Sequence, residues 1–233
     1  MKTKMAIFAA VLAAGFVATP AATAGAAAKT NTDPASKASS EQTQAVEDVA
    51  TADRLVAYGD AHRDALSLIA AARILKASGV RHARATKKTE GSGKKDAQHK
   101  EDKDQTVAGI LARAKQYAAG NKALIALAED VAASSTKGRV GGPGRATSRV
   151  YGGYTDTWTI TFEGGEPAIV AIRGDGDTDL DFYVYDENGN LIARDTDGTD
   201  YTLLRWTPRW TGKFYIKVKN LGHVYNQYVI ATN

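Results

Sequence analysis

The sequence predicts an α+β chain, a small N-terminal helical bundle followed by a C-terminal antiparallel β-sandwich, and three observations carry that expectation. Apolar residues recur at helical spacing between about residues 41 and 131. After residue 154 they alternate with polar residues in short runs separated by turn signals. The charge also changes sign: residues 150–233 hold 7 Lys+Arg against 12 Asp+Glu, net −5, whereas residues 1–149 hold 23 against 14, net +9. A chain of 233 residues is long enough for one or two domains with apolar cores.

The first 24 residues read as a secretory signal peptide: Lys2 and Lys4, an apolar run over residues 5–18, then Ala22-Thr-Ala24 as a small-residue exit. The run is shorter than the roughly 20 residues a membrane-spanning helix needs, so removal and a secreted or periplasmic destination are expected, without membrane insertion. There is no cysteine, so no disulfide is available and packing must hold the fold. Residues 25–40 are Ala, Thr, Ser and Lys with one Pro, and a flexible leader is expected there.

Val49, Ala52 and Val56, then Leu66, Ile69 and Ala72, predict helix from Glu41 to about Ser78. Gly59-Asp60 is a candidate division and Gly79 a candidate C-terminal stop. Residues 81–104 carry 8 basic and 5 acidic residues and no large aliphatic side chain, which predicts a disordered charged loop. Val107, Ile110, Leu111, Ala114 and Tyr117 resume the helical stripe, Gly120-Asn121 breaks it, and Leu124, Leu127, Ala128 and Val131 complete an αα-hairpin within a helical segment 41–135. Residues 136–149 are Gly-rich and read as a linker. They lack the G-x-x-x-x-G-K-[ST] pattern and a preceding strand, so no nucleotide site is expected. The basic excess lies mostly in low-complexity sequence, which argues for solubility and against a nucleic-acid partner.

In the second part Trp158, Ile160 and Phe162 form one alternating set, Ala168, Val170 and Ile172 another. Leu180, Phe182 and Val184 form a third; Leu204 and Trp206, Phe214, Ile216 and Val218, and residues 225–231 follow. Asp186-Glu-Asn-Gly-Asn190 is hairpin chemistry, with Gly189 free to take positive φ. Ahead of the third strand Asp175, Asp177, Asp179 and Asp181 stand at every second position. Their mutual repulsion invites a cation, and calcium is the candidate cofactor. An EF-hand is excluded, because Leu180 occupies the position that must be glycine and no helix follows. Tyr183, Tyr185 and Tyr215 fall on the face opposite the core and, with Trp210 in a turn, are candidate ligand-binding residues.

The ordered motifs GDGDTDLDFYVYDENGN (174–190), Trp206-Thr-Pro, TGKFYIKVKN (211–220) and Tyr228-Val-Ile are similar to the bacterial pre-peptidase C-terminal domain over about residues 150–233. The resemblance implies a jelly-roll-like β-sandwich of the kind appended to secreted peptidases and, in relatives, a collagen-binding module that uses calcium. It implies no catalysis by this part. The helical part resembles no family.

Enzyme signatures are absent: His62, His82, His99 and His223 are scattered with no H-E-x-x-H, and no G-x-S-x-G occurs. Asp179 and Asp181, about 7 Å apart as any i, i+2 strand pair, are a weak glycosidase candidate. The expected function is therefore an exported, non-catalytic binding or accessory protein with an extracellular or envelope protein or polysaccharide as partner. The alternatives are a secreted peptidase or glycosidase and an envelope structural protein that assembles through its sheet edges.

Overall fold

The computed structural model describes residues 29–34, 38–93, 101–134 and 142–233. The signal-peptide segment 1–24 lies outside them. Ser40 opens α1 (Glu41–His62), its hydroxyl accepting from the Thr43 N–H at 3.2 Å. The division from α2 (Ala65–Ala77) falls at Arg63, in the left-handed region at φ 53°, and at Asp64, whose carboxylate caps the N–H groups of Leu66 and Ser67. Gly59 is not the break. It is buried in α1, and a Cβ there would lie 2.8 Å from the Leu68 side chain, so the glycine lets α2 fold back tightly. Gly79, at φ 62°, ends α2 as expected. Thr106 caps α3 (Val107–Tyr117), and Asn121 caps α4 (Lys122–Ala133) after Gly120 at φ 85°.

The region expected to be a disordered loop contains two strands, β1 (Arg81–His82) and β2 (Thr86–Gly91). Every residue of β2 is exposed, so it carries no hydrophobic period. Its order comes from pairing with β4 (Tyr154–Phe162), register Thr86 to Thr159 through Gly91 to Tyr154, and from Lys87, whose Nζ is 2.9 Å from the buried Asp156 carboxylate. The predicted linker is likewise in part a strand: β3 (Gly144–Val150) begins inside it and pairs in parallel with β1. Gly142 is needed there because a Cβ would meet the Gly79 carbonyl oxygen at 2.1 Å.

The remaining strands are β5 (Ala168–Arg173), β6 (Leu180–Asp186), β7 (Leu191–Asp195), β8 (Tyr201–Trp206), β9 (Gly212–Asn220) and β10 (Asn226–Thr232). They form two five-stranded sheets, β1-β3-β10-β5-β8 (sheet A) and β2-β4-β9-β6-β7 (sheet B). From β3 onward successive strands switch between sheets, except along the β6–β7 hairpin, which is the jelly-roll winding. Trp158, Phe162, Phe182, Phe214 and Ile216 from sheet B meet Val170, Ile172, Trp206, Tyr228 and Ile230 from sheet A in one core. Phe162 and Trp206 pack edge to face at 4.9 Å. Burial of each such side chain contributes roughly 1.5–3 kcal/mol.

The helices do not make a separate bundle. Val46, Val49, Leu68, Ile69, Ile110 and Leu111 share a core with Ile169, Ala171 and Ala231, which project from the other side of sheet A. The molecule is therefore three layers, helices on sheet A on sheet B. β5 reads AIVAIR, apolar at five successive positions, as a strand buried on both faces should.

The expected flexible leader is clasped to the sandwich at residues 31–33. Asn31 is fully buried: its N–H donates to Asp186 Oδ2 at 2.8 Å, its Oδ1 accepts from the N–H groups of Arg209 and Trp210, and its Nδ2 donates to the Trp210 carbonyl. No apolar side chain takes part, so composition gave no sign of it. Asp186 also accepts from the N–H groups of Asn188 and Asn190 and from the Asn190 amide. Burial alone would raise its pKa, but the Asn190 side chain and the N–H groups of Asn31, Asn190 and Asn188 outweigh burial and hold the carboxyl below its ordinary 3.8. These donors favour the charged form only in the fold. Their stabilisation is thus complete above pH 3.8 and fades as pH falls through the lower folded value. Asp186→Asn is expected to cost about 2–4 kcal/mol at pH 7 and to lose part of the wild type's acid sensitivity below pH 3.8, as read by urea unfolding at the two pH values.

Candidate ligand-binding face

With sheet A covered on both sides, the outer face of sheet B is the broad solvent-facing sheet surface. Alternation determines what it presents: Asp181, Tyr183 and Tyr185 from β6, Lys213, Tyr215, Lys217 and Lys219 from β9, and Thr155, Thr157, Thr159 and Thr161 from β4. Register sets them in rows. Arg194, Tyr183, Lys217, Thr157 and Lys88 are successive cross-strand partners, and Tyr185, Tyr215 and Thr159 form the row beside them. The Tyr183 and Tyr185 rings lie nearly parallel, 25° apart in plane with centroids at 6.4 Å. Lys217 Nζ sits 4.8 Å from the centre of the Tyr185 ring, which steadies both. A groove of about 520 Å³ is lined by Tyr183, Tyr185, Lys217, Lys219, Thr155 and Thr157, with Gly91 and Glu90, the latter paired with Lys88.

Tyr183 donates its hydroxyl proton to Asp181 Oδ2 at 3.0 Å. Desolvation first, and then this carboxylate, raise the phenol pKa above its ordinary value, so the group stays protonated at neutral pH. Arg194, Lys213, Lys217 and Lys219 are four of the seven Lys+Arg of residues 150–233. They stand on one face with Asp181 and, from β2, Lys88 and Glu90, whereas most of the twelve acidic residues of residues 150–233 lie elsewhere. A locally basic, aromatic and hydroxyl-bearing surface is thus set on a segment whose net charge is −5.

The three candidate tyrosines share this face. Trp210 does not line the groove: it is half-buried in the turn before β9, its indole N–H donating to Glu187 and its backbone bonded to Asn31. Lys217, Lys219, Arg194 and the threonines escaped the sequence reading. The signal was present in the K-F-Y-I-K-V-K alternation of β9, but the neighbouring T-D-T-W-T-I-T run acquires meaning only once the two strands are known to pair.

No family model matches the chain, and no curated protein matches it. Among solved structures it is similar to the periplasmic inhibitor of g-type lysozyme from Aeromonas hydrophila, at 17% identity over 39% of this chain and 84% of that one, TM-score 0.31. It is similar to the pre-peptidase C-terminal domain of a collagenase from Bacillus anthracis at 15% identity, 38% and 87% coverage and TM-score 0.33. A third is a carbohydrate-binding module of Cellvibrio mixtus lichenase 5A in complex with cellotriose, at 9% identity, 37% and 86% coverage and TM-score 0.23. Values this low carry no argument about ligand.

The four aspartates proposed for calcium do not converge. Asp175 turns back toward β10, accepting from the N–H groups of Gln227 at 2.8 Å and Asp177 at 3.0 Å, while Asp181 sits on the outer sheet face with Tyr183. Of the nearby turn, Asp197 is taken by Thr199 and Asp200 by the Gly176 N–H. Asp177 Oδ1 and Asp179 Oδ1 are both buried and accept no hydrogen bond, two oxygens where calcium takes six to eight. Among the described residues no three His, Asp or Glu are grouped to hold a metal ion. The melting temperature is expected to agree within about 1 °C between excess chelator and millimolar calcium; a rise of several degrees, lost in Asp179→Asn, would show a site that forms only around the ion.

Proposed function

We propose that this is an exported, non-catalytic binding protein whose sheet B face engages an acidic polysaccharide. The observation that carries the proposal is the near-parallel Tyr183 and Tyr185 pair flanked by Lys217 and the β4 threonines. Rigid phenol rings offer flat apolar area at small entropic cost, suited to the apolar face of a sugar ring. Thr155 and Thr157 supply hydroxyls that both donate and accept, and Lys217, Lys219 and Arg194 supply charge for carboxylates along a polymer. A groove open along a sheet accepts a chain passing through, where a closed pocket would take only an end.

Export rests on the pattern of residues 1–24. The absence of catalysis rests on the chemistry of the face: the Tyr183 phenol is pushed away from neutral pH, by desolvation first and then by Asp181, and is engaged by that carboxylate. Asp181 in turn is occupied by that phenol, which removes it from a glycosidase pair with Asp179. Calcium has no part in the proposed binding.

Affinity electrophoresis in gels containing polygalacturonate or alginate, with a neutral glucan as control, tests the proposal. Retardation is expected in the uronate gels and to weaken with salt. Tyr185→Ser is expected to weaken binding roughly tenfold, about 1.4 kcal/mol, and Lys217→Gln to flatten the salt dependence, with melting temperatures within about 2 °C of wild type. Equal retardation of all three proteins, or none in either uronate gel, would overturn the proposal.

A further inference from the structure

The register that builds the outer face of sheet B also spaces its charges. In the row Arg194, Tyr183, Lys217, Thr157, Lys88 the cations fall on β7, β9 and β2, and a hydroxyl-bearing residue stands on each strand between them. Neighbouring strands lie about 4.8 Å apart, so the anchoring points of the cations recur at about 9.6 Å and the row spans about 19 Å. No residue of this row is acidic.

The rows on either side are different in kind. On one side Leu191, Tyr185, Tyr215, Thr159 and Thr86 carry no charge, and Leu191 at the β7 edge is 44% exposed. Lys217 Nζ leans over the Tyr185 ring, so the middle cation stands between this row and its own. On the other side Glu90, Thr155, Lys219 and Asp181 are successive partners, two carboxylates to one ammonium. Glu90 also pairs with Lys88, but both side chains are exposed and such a pair is weak, so the Lys88 ammonium can turn to a ligand. An anionic chain therefore follows the middle row, with the uncharged aromatic row beside it as a bed for its rings.

Along a polysaccharide each pyranose with its glycosidic link advances by about one interstrand spacing, near 5 Å. An acid on every sugar sets one carboxylate over each strand. The one over β6 then meets Tyr183, whose hydroxyl proton is already given to Asp181, with the Asp181 charge behind it. An acid on every second sugar sets its carboxylates over β7, β9 and β2 alone. We infer, building on the acidic-polysaccharide reading above, that sheet B selects an alternating polymer with one carboxylate on every second sugar, laid across the strands from β7 to β2 with its rings on the Tyr185 and Tyr215 row. Charge density opposes this choice: without register, a chain with an acid on every sugar carries twice the charge and binds the more tightly. Preference for the alternating chain thus reports spacing and not charge.

Isothermal calorimetry on the purified full chain compares the hexasaccharide of hyaluronate, with three carboxylates, with that of polygalacturonate, with six. The hyaluronate hexasaccharide is expected to bind the tighter by roughly three- to fivefold, the worth of one exposed ion pair. Arg194→Gln and Lys88→Gln, at opposite edges of the sheet, are each expected to weaken it by a similar factor. Lys213→Gln, on the same face of β9 but outside the groove, is expected to leave it unchanged. All three side chains are exposed, so none of the variants threatens the fold. Equal or tighter binding of the galacturonate hexasaccharide, or undiminished binding in Arg194→Gln or Lys88→Gln, would overturn the inference and leave the acidic-polysaccharide reading standing. A loss in Lys213→Gln equal to that in Arg194→Gln would do the same, since it marks a chain running along β9. Binding of neither hexasaccharide would overturn both.

Discussion

Sheet A is buried on both sides, and most of the architecture follows from that constraint. Each strand of β5 and β10 must satisfy two neighbours at once: Val170, Ile172 and Ile230 face the sandwich interior, while Ile169, Ala171 and Ala231 face the helices. The small residues Ala171 and Ala231 let α1 approach the sheet closely. Polar contacts then fix where the helices sit. Arg145 of β3 reaches Asp53 of α1 through a buried pair at 2.6 Å, and Arg205 of β8 reaches Glu47 at 2.7 Å. Desolvation cancels much of the attraction in such a buried pair, so its role is to select one docking of the helices and not to add net stability. Covering sheet A also leaves sheet B as the surface free to meet a ligand.

Two buried carboxylates do for the polar segments what apolar side chains do elsewhere. Asp156 gathers Lys87 from β2, the Thr89 hydroxyl and the hydroxyl of Tyr228, which in turn accepts from the Trp158 indole at 2.7 Å. Desolvation and this carboxylate push the Tyr228 phenol well up, so it serves as a fixed donor in the middle of the core. Asp186 performs the same service for residues 31–33 and the β6–β7 turn. Each is met by several donors, and those around Asp186 hold its carboxyl below the ordinary value despite its burial, which is the condition for an interior carboxylate to stabilise.

Legibility in the sequence followed the source of the stabilising free energy. Helices α1 to α4 and strands β4 to β10 are ordered by apolar burial, and their periods could be read directly, down to the alternation that places Tyr183, Tyr185 and Tyr215 on one face. Strand β2 and the clasp at Asn31 are ordered by backbone pairing and by carboxylates more than 60 residues away in the chain. A composition of Lys, Thr and Asn looks the same whether such a partner exists or not. The aspartate run shows the limit of period: two-residue spacing puts neighbouring carboxylates on one side of an extended strand, but residues 175–179 are a loop in which Asp175 turns toward β10.

The outermost position of β2 in sheet B has a consequence for self-association. An exposed edge strand normally offers its unpaired N–H and C=O groups to any other chain. Here the strand is fully exposed, carries Lys87 and Lys88, and turns Lys87 inward toward Asp156. A second molecule adding a strand at this edge would bring its own copy of the same lysines alongside and strip water from them, so end-to-end sheet growth is disfavoured where it would otherwise begin. The outer face of sheet B can therefore stay open to solvent while its β2 edge resists the addition of a further strand.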